Sequence, residues 1–195
     1  MQIGIDARLW DQTGVGRYIR NLVLSLQKID KKNDYSLFVR SEDFEVIKSQ
    51  ITNTNWRLIR ADIKWHSLNE QIEFPKILKK EKLDLVHFPY FSIPINYNLP
   101  FVVTIHDLII DHYPTGKAST LFPLFYYLKV LSYKYIISTA SKKAKKIIVP
   151  SIATKEEVID HLGVSKDKIE VTYEASDENL IKNSDSVKNI PDKYF

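Results

Sequence analysis

Short apolar runs alternating with helical stretches predict an α/β fold, a doubly wound, mostly parallel sheet with helices on both faces. Strand-like runs recur at 1–6, 35–40, 56–60, 83–88, 101–105, 146–149 and 169–173. Several are continuously apolar rather than alternating, as expected of strands covered on both faces. The first run, Ile3-Gly4-Ile5-Asp6, leads into Thr13-Gly14-Val15-Gly16-Arg17-Tyr18, where a long amphipathic helix opens. The fifth ends in His106-Asp107. In an open parallel sheet the carboxyl ends of the strands share one rim, and ligands bind in the crevice there.

The helix over 15–29 carries Ile19, Leu22, Val23, Leu26 and Ile29 at three- and four-residue spacing, one apolar stripe, with Thr13 as its cap. A second helix is expected over 67–82, interrupted by Pro75. The third, over 117–143 with Pro123 in its first turns, is apolar around most of its circumference, broken by Lys129 and Lys134. That spread favours burial against a sheet, although its tyrosines and lysines also suit a membrane surface. Ser151 caps a helix running to Leu162, and Gly163 ends it. Residues 1–173 thus read as one domain. Residues 174–193 are polar and aperiodic, a linker, and Ile190-Pro191-Asp192-Lys193-Tyr194-Phe195 looks like the run-in to another strand.

Composition excludes several classes. Cysteine is absent, so there is no disulfide framework and no thiolate metal site. The start of the chain lacks a signal-peptide pattern, and no run of about 18 apolar residues occurs. The net charge of +4 is mild, and lysines cluster at 28–32, 76–82 and 142–146, often at helix ends, where cations complement the dipole. They read as solvated faces rather than a nucleic-acid site.

Gly14 and Gly16 at a helix start admit two readings. Missing side chains let a phosphate or sugar approach the unpaired first-turn amides, or the loop needs glycine torsions. The dinucleotide fingerprint is not met, because Ile19 holds the third glycine position and Arg40 stands where the ribose-binding acid belongs. His106 can bond ligand hydroxyls or act as acid or base, or be satisfied by nearby backbone. His87, in Val86-His87-Phe88-Pro89-Tyr90, ends the neighbouring run in the same way. Asp107 is the only acid beside these histidines and no His-x-x-x-His spacing occurs, so no metal is expected. Arg8 and Arg17 flank the glycine loop and suit either a phosphate or carboxylate ligand or an internal ion pair. No Gly-x-Ser-x-Gly elbow offers a nucleophile.

Taken in order, Asp6-Ala7-Arg8, Thr13 to Tyr18, Asn69-Glu70-Gln71, Asp84 to Pro89, Thr104-Ile105-His106-Asp107-Leu108, Ile147 to Ser151, Gly163-Val164 with Lys168-Ile169, and Tyr173-Glu174-Ala175 cover nearly the whole chain. This ordered set resembles the opening half of GT-B glycosyltransferases of family 4, especially the mannosyltransferase- and rhamnosyltransferase-like branch. The resemblance implies two Rossmann-like domains facing a cleft, with an acceptor-side domain first and a donor-binding domain after it. It implies transfer of a sugar, with retention, from a nucleotide-diphosphate sugar to a glycan or lipid-linked acceptor in surface polysaccharide synthesis. No metal or other cofactor and no nucleic acid is implied. The location implied is cytoplasmic, with room for peripheral contact at the inner face of the plasma membrane.

Carried over, Gly14, Val15 and Gly16, with Arg17, would lie on the donor side, against the diphosphate and the transferred sugar. His106 would bond the sugar near the reacting carbon, and Asp107 beside it, the other half of the expected catalytic pair, would orient the acceptor or brace that loop. Arg8 and His87 fall on the acceptor side, Arg8 either orienting the acceptor or bracing the loop. The family's paired glutamates and basic diphosphate clamp belong to the second domain. Residues 174–195 are therefore read as the interdomain linker and the start of that domain, and 1–195 alone is expected to be inactive. The rival expectations are a non-catalytic sugar-binding module or partner subunit of a split transferase, and a nicotinamide-dependent oxidoreductase, which Ile19 opposes.

Overall fold

β1 (Gln2–Asp6) runs through the middle of a parallel sheet, with β2 (Asp34–Val39) and β3 (Trp56–Arg60) on one side. On the other side follow β4 (Leu85–Phe88), β5 (Phe101–Thr104), β6 (Lys146–Val149) and β7 (Ile169–Val171). The structure, a computed structural model, describes residues 1–109 and 123–174, with backbone alone at 123–125. Among the described residues the strand order is β3-β2-β1-β4-β5-β6-β7, every pair parallel. All seven strands fall on the runs expected from sequence, within one or two residues at their ends.

Parallel neighbours need crossovers; residues 89–100 join β4 to β5 without a helix, and the others are supplied by helices. These are α1 (Gly14–Ile29), α2 (Phe44–Gln50), α3 (Leu68–Ile72), α4 (Phe74–Lys80), α5 (Pro123–Lys143) and α6 (Ile152–Leu162). Both faces of the sheet are covered. Leu37 and Val39 pack with Ile5, Ile19 and Val23 in one cluster, while Phe38 between them points into the other, with Phe74, Phe88 and Val103. That alternation along β2 is the strand period of two feeding two cores.

Several local expectations need correction. Thr13 is the residue before α1, but it makes no side-chain cap bond. Its torsions (φ −61°, ψ −77°) are already helical, and a cap side chain reaches the first-turn amides from extended backbone. The helix expected over 67–82 is two, meeting at Glu73, and Pro75 sits in the first turn of the second, where its missing N–H costs nothing. α2 was not expected at all. Its only buried residue is Ile47, so it carries almost no apolar stripe to read.

α5 also departs from full burial. Tyr133, Ile137 and Ala140 are buried, but Tyr127, Leu128, Leu131 and Tyr135 face outward. A helix apolar all round can lay only one side on a sheet. The part of this expected helix at 117–122 lies outside the described residues, as does the linker beyond Glu174. α6 follows expectation: Ser151 Oγ accepts from the Thr154 amide (3.0 Å), and Gly163 closes the helix at φ 62°.

Candidate functional site

The chain winds outward from β1 through β2 to β3, returns beside β1 as β4, and then winds the other way. This reversal opens a crevice between the carboxyl ends of β1 and β4. Three loops meet there, those after β1, β4 and β5.

The first loop is anchored from below. Asp6 ends β1, and the Arg8 guanidinium folds back onto it, Nε 2.9 Å from Oδ1 and Nη2 2.7 Å from Oδ2. Nη2 also donates to Glu70 Oε1 (2.7 Å) and Nη1 to the Ile63 carbonyl (3.2 Å), with the guanidinium 3.7 Å above the Phe74 ring. Glu70 Oε2 accepts from the His66 amide (2.9 Å) and from Ser92 Oγ (2.7 Å). Burial alone would push a proton off Arg8, but Asp6 and Glu70 more than offset it, and the pKa is raised. Arg8 is 2% exposed and its donors are spent inside the protein. Of its two expected roles, this geometry is that of the brace.

The glycines have different work. Neither Gly14 nor Gly16 has positive φ, so glycine torsions are not what the loop needs. Gly16 is buried, and a Cβ there would collide with the backbone carbonyls of Trp10 and Leu9. It lets α1 start tight against the β1 loop, where the Arg20 guanidinium also bonds the Trp10 carbonyl. Gly14 is exposed, and a Cβ there would meet nothing within 4 Å. The open approach to the first-turn amides is therefore over Gly14. Val15, partly buried in the first turn of α1, packs against the core, and Arg17 is exposed.

One turn into α1, Tyr18 reaches across to β5. Its hydroxyl lies 3.2 Å from Thr104 Oγ1, which is 2.8 Å from His87 Nε2. His87 is 6% exposed, beneath the rim rather than on it. Burial, with His106 nearby, pushes its pKa down to about 4, so the ring is neutral at ordinary pH. The Tyr18 and His106 rings meet in a T-shaped contact, centroids 4.9 Å apart and planes at 83°.

His106 Nε2 lies 2.9 Å from the Pro89 carbonyl, tying the end of β5 to the end of β4. Its Nδ1 lies 3.1 Å from Glu174 Oε1. Asp107 is exposed, and its Oδ1 accepts from the Ile109 amide (3.1 Å), turning the chain beyond β5. Burial, aided by the Asp107 charge, pushes the neighbouring Tyr90 phenol up to about 12.

The glycine-led start of α1 and the His106 imidazole thus share one rim, joined through Tyr18. Arg8 and His87 stand inside, supporting it. Tyr18, Glu70, Thr104 and Glu174 had no assigned part in the sequence reading. Tyr18 has the clearest signal, four residues beyond Gly14 and so on the same helix face. A hollow of about 290 Å³ lies on the opposite rim, among Gln2, Asp34, Tyr35, Asn55, Trp56 and Arg57. Among the described residues no group of three His, Cys, Asp or Glu side chains could hold a metal, and no helix is long and apolar enough to cross a membrane.

The family model described as Glycosyltransferase Family 4 matches residues 12–179. The chain belongs to that family. The fold is shared with solved structures at low identity. HepE of Anabaena, solved in complex with UDP and glucose, is 14% identical with a TM-score of 0.57, covering 92% of this chain and 46% of its own. WaaB, a lipopolysaccharide outer core galactosyltransferase solved in its apo form, is 16% identical with a TM-score of 0.51, covering 90% of this chain and 46% of its own. This family 4 chain therefore spans about half the length of these two proteins. No match was found among the curated proteins.

Proposed function

We propose that this chain is the amino-terminal, acceptor-side domain of a retaining family 4 glycosyltransferase. It would help move a sugar from a nucleotide-diphosphate donor to a glycan or lipid-linked acceptor in surface polysaccharide synthesis. The observation that carries this reading is the meeting of α1 and His106 at the β1/β4 switch, through the 4.9 Å Tyr18–His106 ring contact. Open amides over Gly14 suit the diphosphate, with Val15 and Gly16 shaping that approach and Arg17 free to pair with it. His106 would bond the transferred sugar, with Asp107 beside it orienting the acceptor. Arg8 and His87 act here as supports of the acceptor side rather than as contacts. Such a site works by positioning and by stabilising developing charge, with no metal required.

A second, donor-binding domain following 1–173 completes the cleft, and 1–195 by itself transfers no sugar at a useful rate. The outward stripe Tyr127, Leu128, Leu131 and Tyr135 lies on a helix whose only charged residues are lysines. That supports peripheral contact with the anionic inner face of a plasma membrane. Sedimentation with anionic vesicles checks it, and equal affinity for neutral ones counts against it.

A donor screen on the full-length enzyme, repeated with His106→Ala, tests the central claim. Loss of one preorganised donor lowers turnover on the order of 10²-fold. Near-unchanged turnover by the variant removes His106 from the site, and a full-length protein that binds sugars but transfers none supports the non-catalytic module instead.

A further inference from the structure

Both nitrogens of His106 are engaged in the ligand-free chain. Nε2 faces the Pro89 carbonyl at 2.9 Å. A carbonyl oxygen can only accept, so Nε2 carries a proton. A neutral imidazole then has a bare lone pair at Nδ1, and that lone pair would face the Glu174 carboxylate at 3.1 Å. Two acceptors do not bond. The contact closes only when one further proton, taken up from water, lies between Nδ1 and Oε1.

We propose that Glu174 is a positioning residue for His106, holding the imidazole with a proton on each nitrogen and fixing the plane in which the ring meets the crevice.

The surroundings agree. Tyr18 from α1 meets His106 through an uncharged ring, and Pro89 from the β4 loop offers only its carbonyl. Asp107, next in the chain, turns its carboxylate to the Ile109 amide instead. His87, beneath, is further disfavoured as a cation by the His106 charge. Tyr90 lies within reach of the Asp107 charge. Glu174 is thus the carboxylate in contact with the ring, and it stands just beyond β7, on the same rim.

The pair is also the outward face of the ring. The His106 side chain is 16% exposed and Glu174 49%. The Nε2 bond points into the protein, so a ligand oxygen gains His106 only by taking the place of the Glu174 carboxylate on Nδ1. His106's part in sugar transfer rests on the function proposed above; its pairing with Glu174 does not.

Nitrogen-15 NMR of the imidazoles in chain 1–195 at neutral pH tests the pairing directly. In the wild type, His106 shows protons on both nitrogens. In Glu174→Gln the side-chain amide can donate to a bare Nδ1, so the ring becomes the neutral Nε2–H tautomer. Glu174→Ala gives the same neutral ring with no partner. An unprotonated Nδ1 in the wild type overturns the proposal, and so does an identical His106 signal in wild type and Glu174→Gln. Unshifted backbone amide signals at Ile5 and Val103, in the core beneath the rim, confirm that the variants keep the fold. The spectra need no sugar transfer, so they and the donor screen can fail independently.

Discussion

Two charged clusters support the same rim, and they are built in opposite ways. Arg8, Asp6 and Glu70 are sealed, with side chains 2%, 10% and 0% exposed. His106 and Glu174 lie at the surface, 16% and 49% exposed. In the sealed cluster every partner is internal and the geometry cannot be exchanged for water, so it acts as scaffold. In the open pair one partner can be replaced by a ligand. A site made for positioning needs both, a fixed frame and a contact that can be given up.

Removing one member of each cluster is the sharpest way to break this contrast. Glu70→Ala leaves Arg8 buried with half its compensation, takes the carboxylate from the Ser92 hydroxyl and strands the His66 amide. It lowers stability by about 3–5 kcal/mol, as for other broken buried pairs, read as a lowered urea midpoint. A midpoint close to wild type would show the cluster to be hydrated and the contrast false.

The intermediate case is His87, buried as the frame is but, among the described residues, without an ion-pair partner. Its pKa falls from an ordinary 6.5 to about 4 in the folded chain. Between those values the unfolded chain binds the extra proton and the folded one does not. Stability is therefore fully present above pH 6.5 and declines as pH falls toward 4, by on the order of 3 kcal/mol. His87→Gln removes that part of the slope, and unfolding curves across this range measure it. At the small end, Glu174→Ala changes stability by no more than about 0.5 kcal/mol, measured in the same urea titration. A larger loss would make Glu174 part of the frame.

The strands were legible because a parallel sheet buried on both faces writes itself as uninterrupted apolar runs, and 101–105 and 146–149 are such runs. The starts and stops that depend on local chemistry were legible too, Ser151 and Gly163 above all. α2 was not, because a seven-residue helix with one buried side chain carries no period. Nor was the outcome at α5, where apolar residues all around the helix do not say which side meets the sheet. At the site, the residues that carry a local signature stood out: glycines at a helix start and a histidine at a strand end. The residues that depend on distant partners did not. Glu70 meets Arg8 across 62 positions and Glu174 meets His106 across 68. Gly16 was legible as important but not for its packing, since a close approach of two backbone segments leaves the same glycine behind as a ligand does.

Thr104 has one hydroxyl proton, and it sits between His87 Nε2 and the Tyr18 phenol. If Nε2 is bare, Thr104 donates inward and Tyr18 donates to Thr104, leaving only phenolic lone pairs to face the crevice. If Nε2 carries the proton, Thr104 is free to donate to Tyr18, whose own proton then swings outward. Which tautomer a neutral ring holds in the core therefore decides whether the mouth of the crevice offers an arriving molecule an acceptor or a donor.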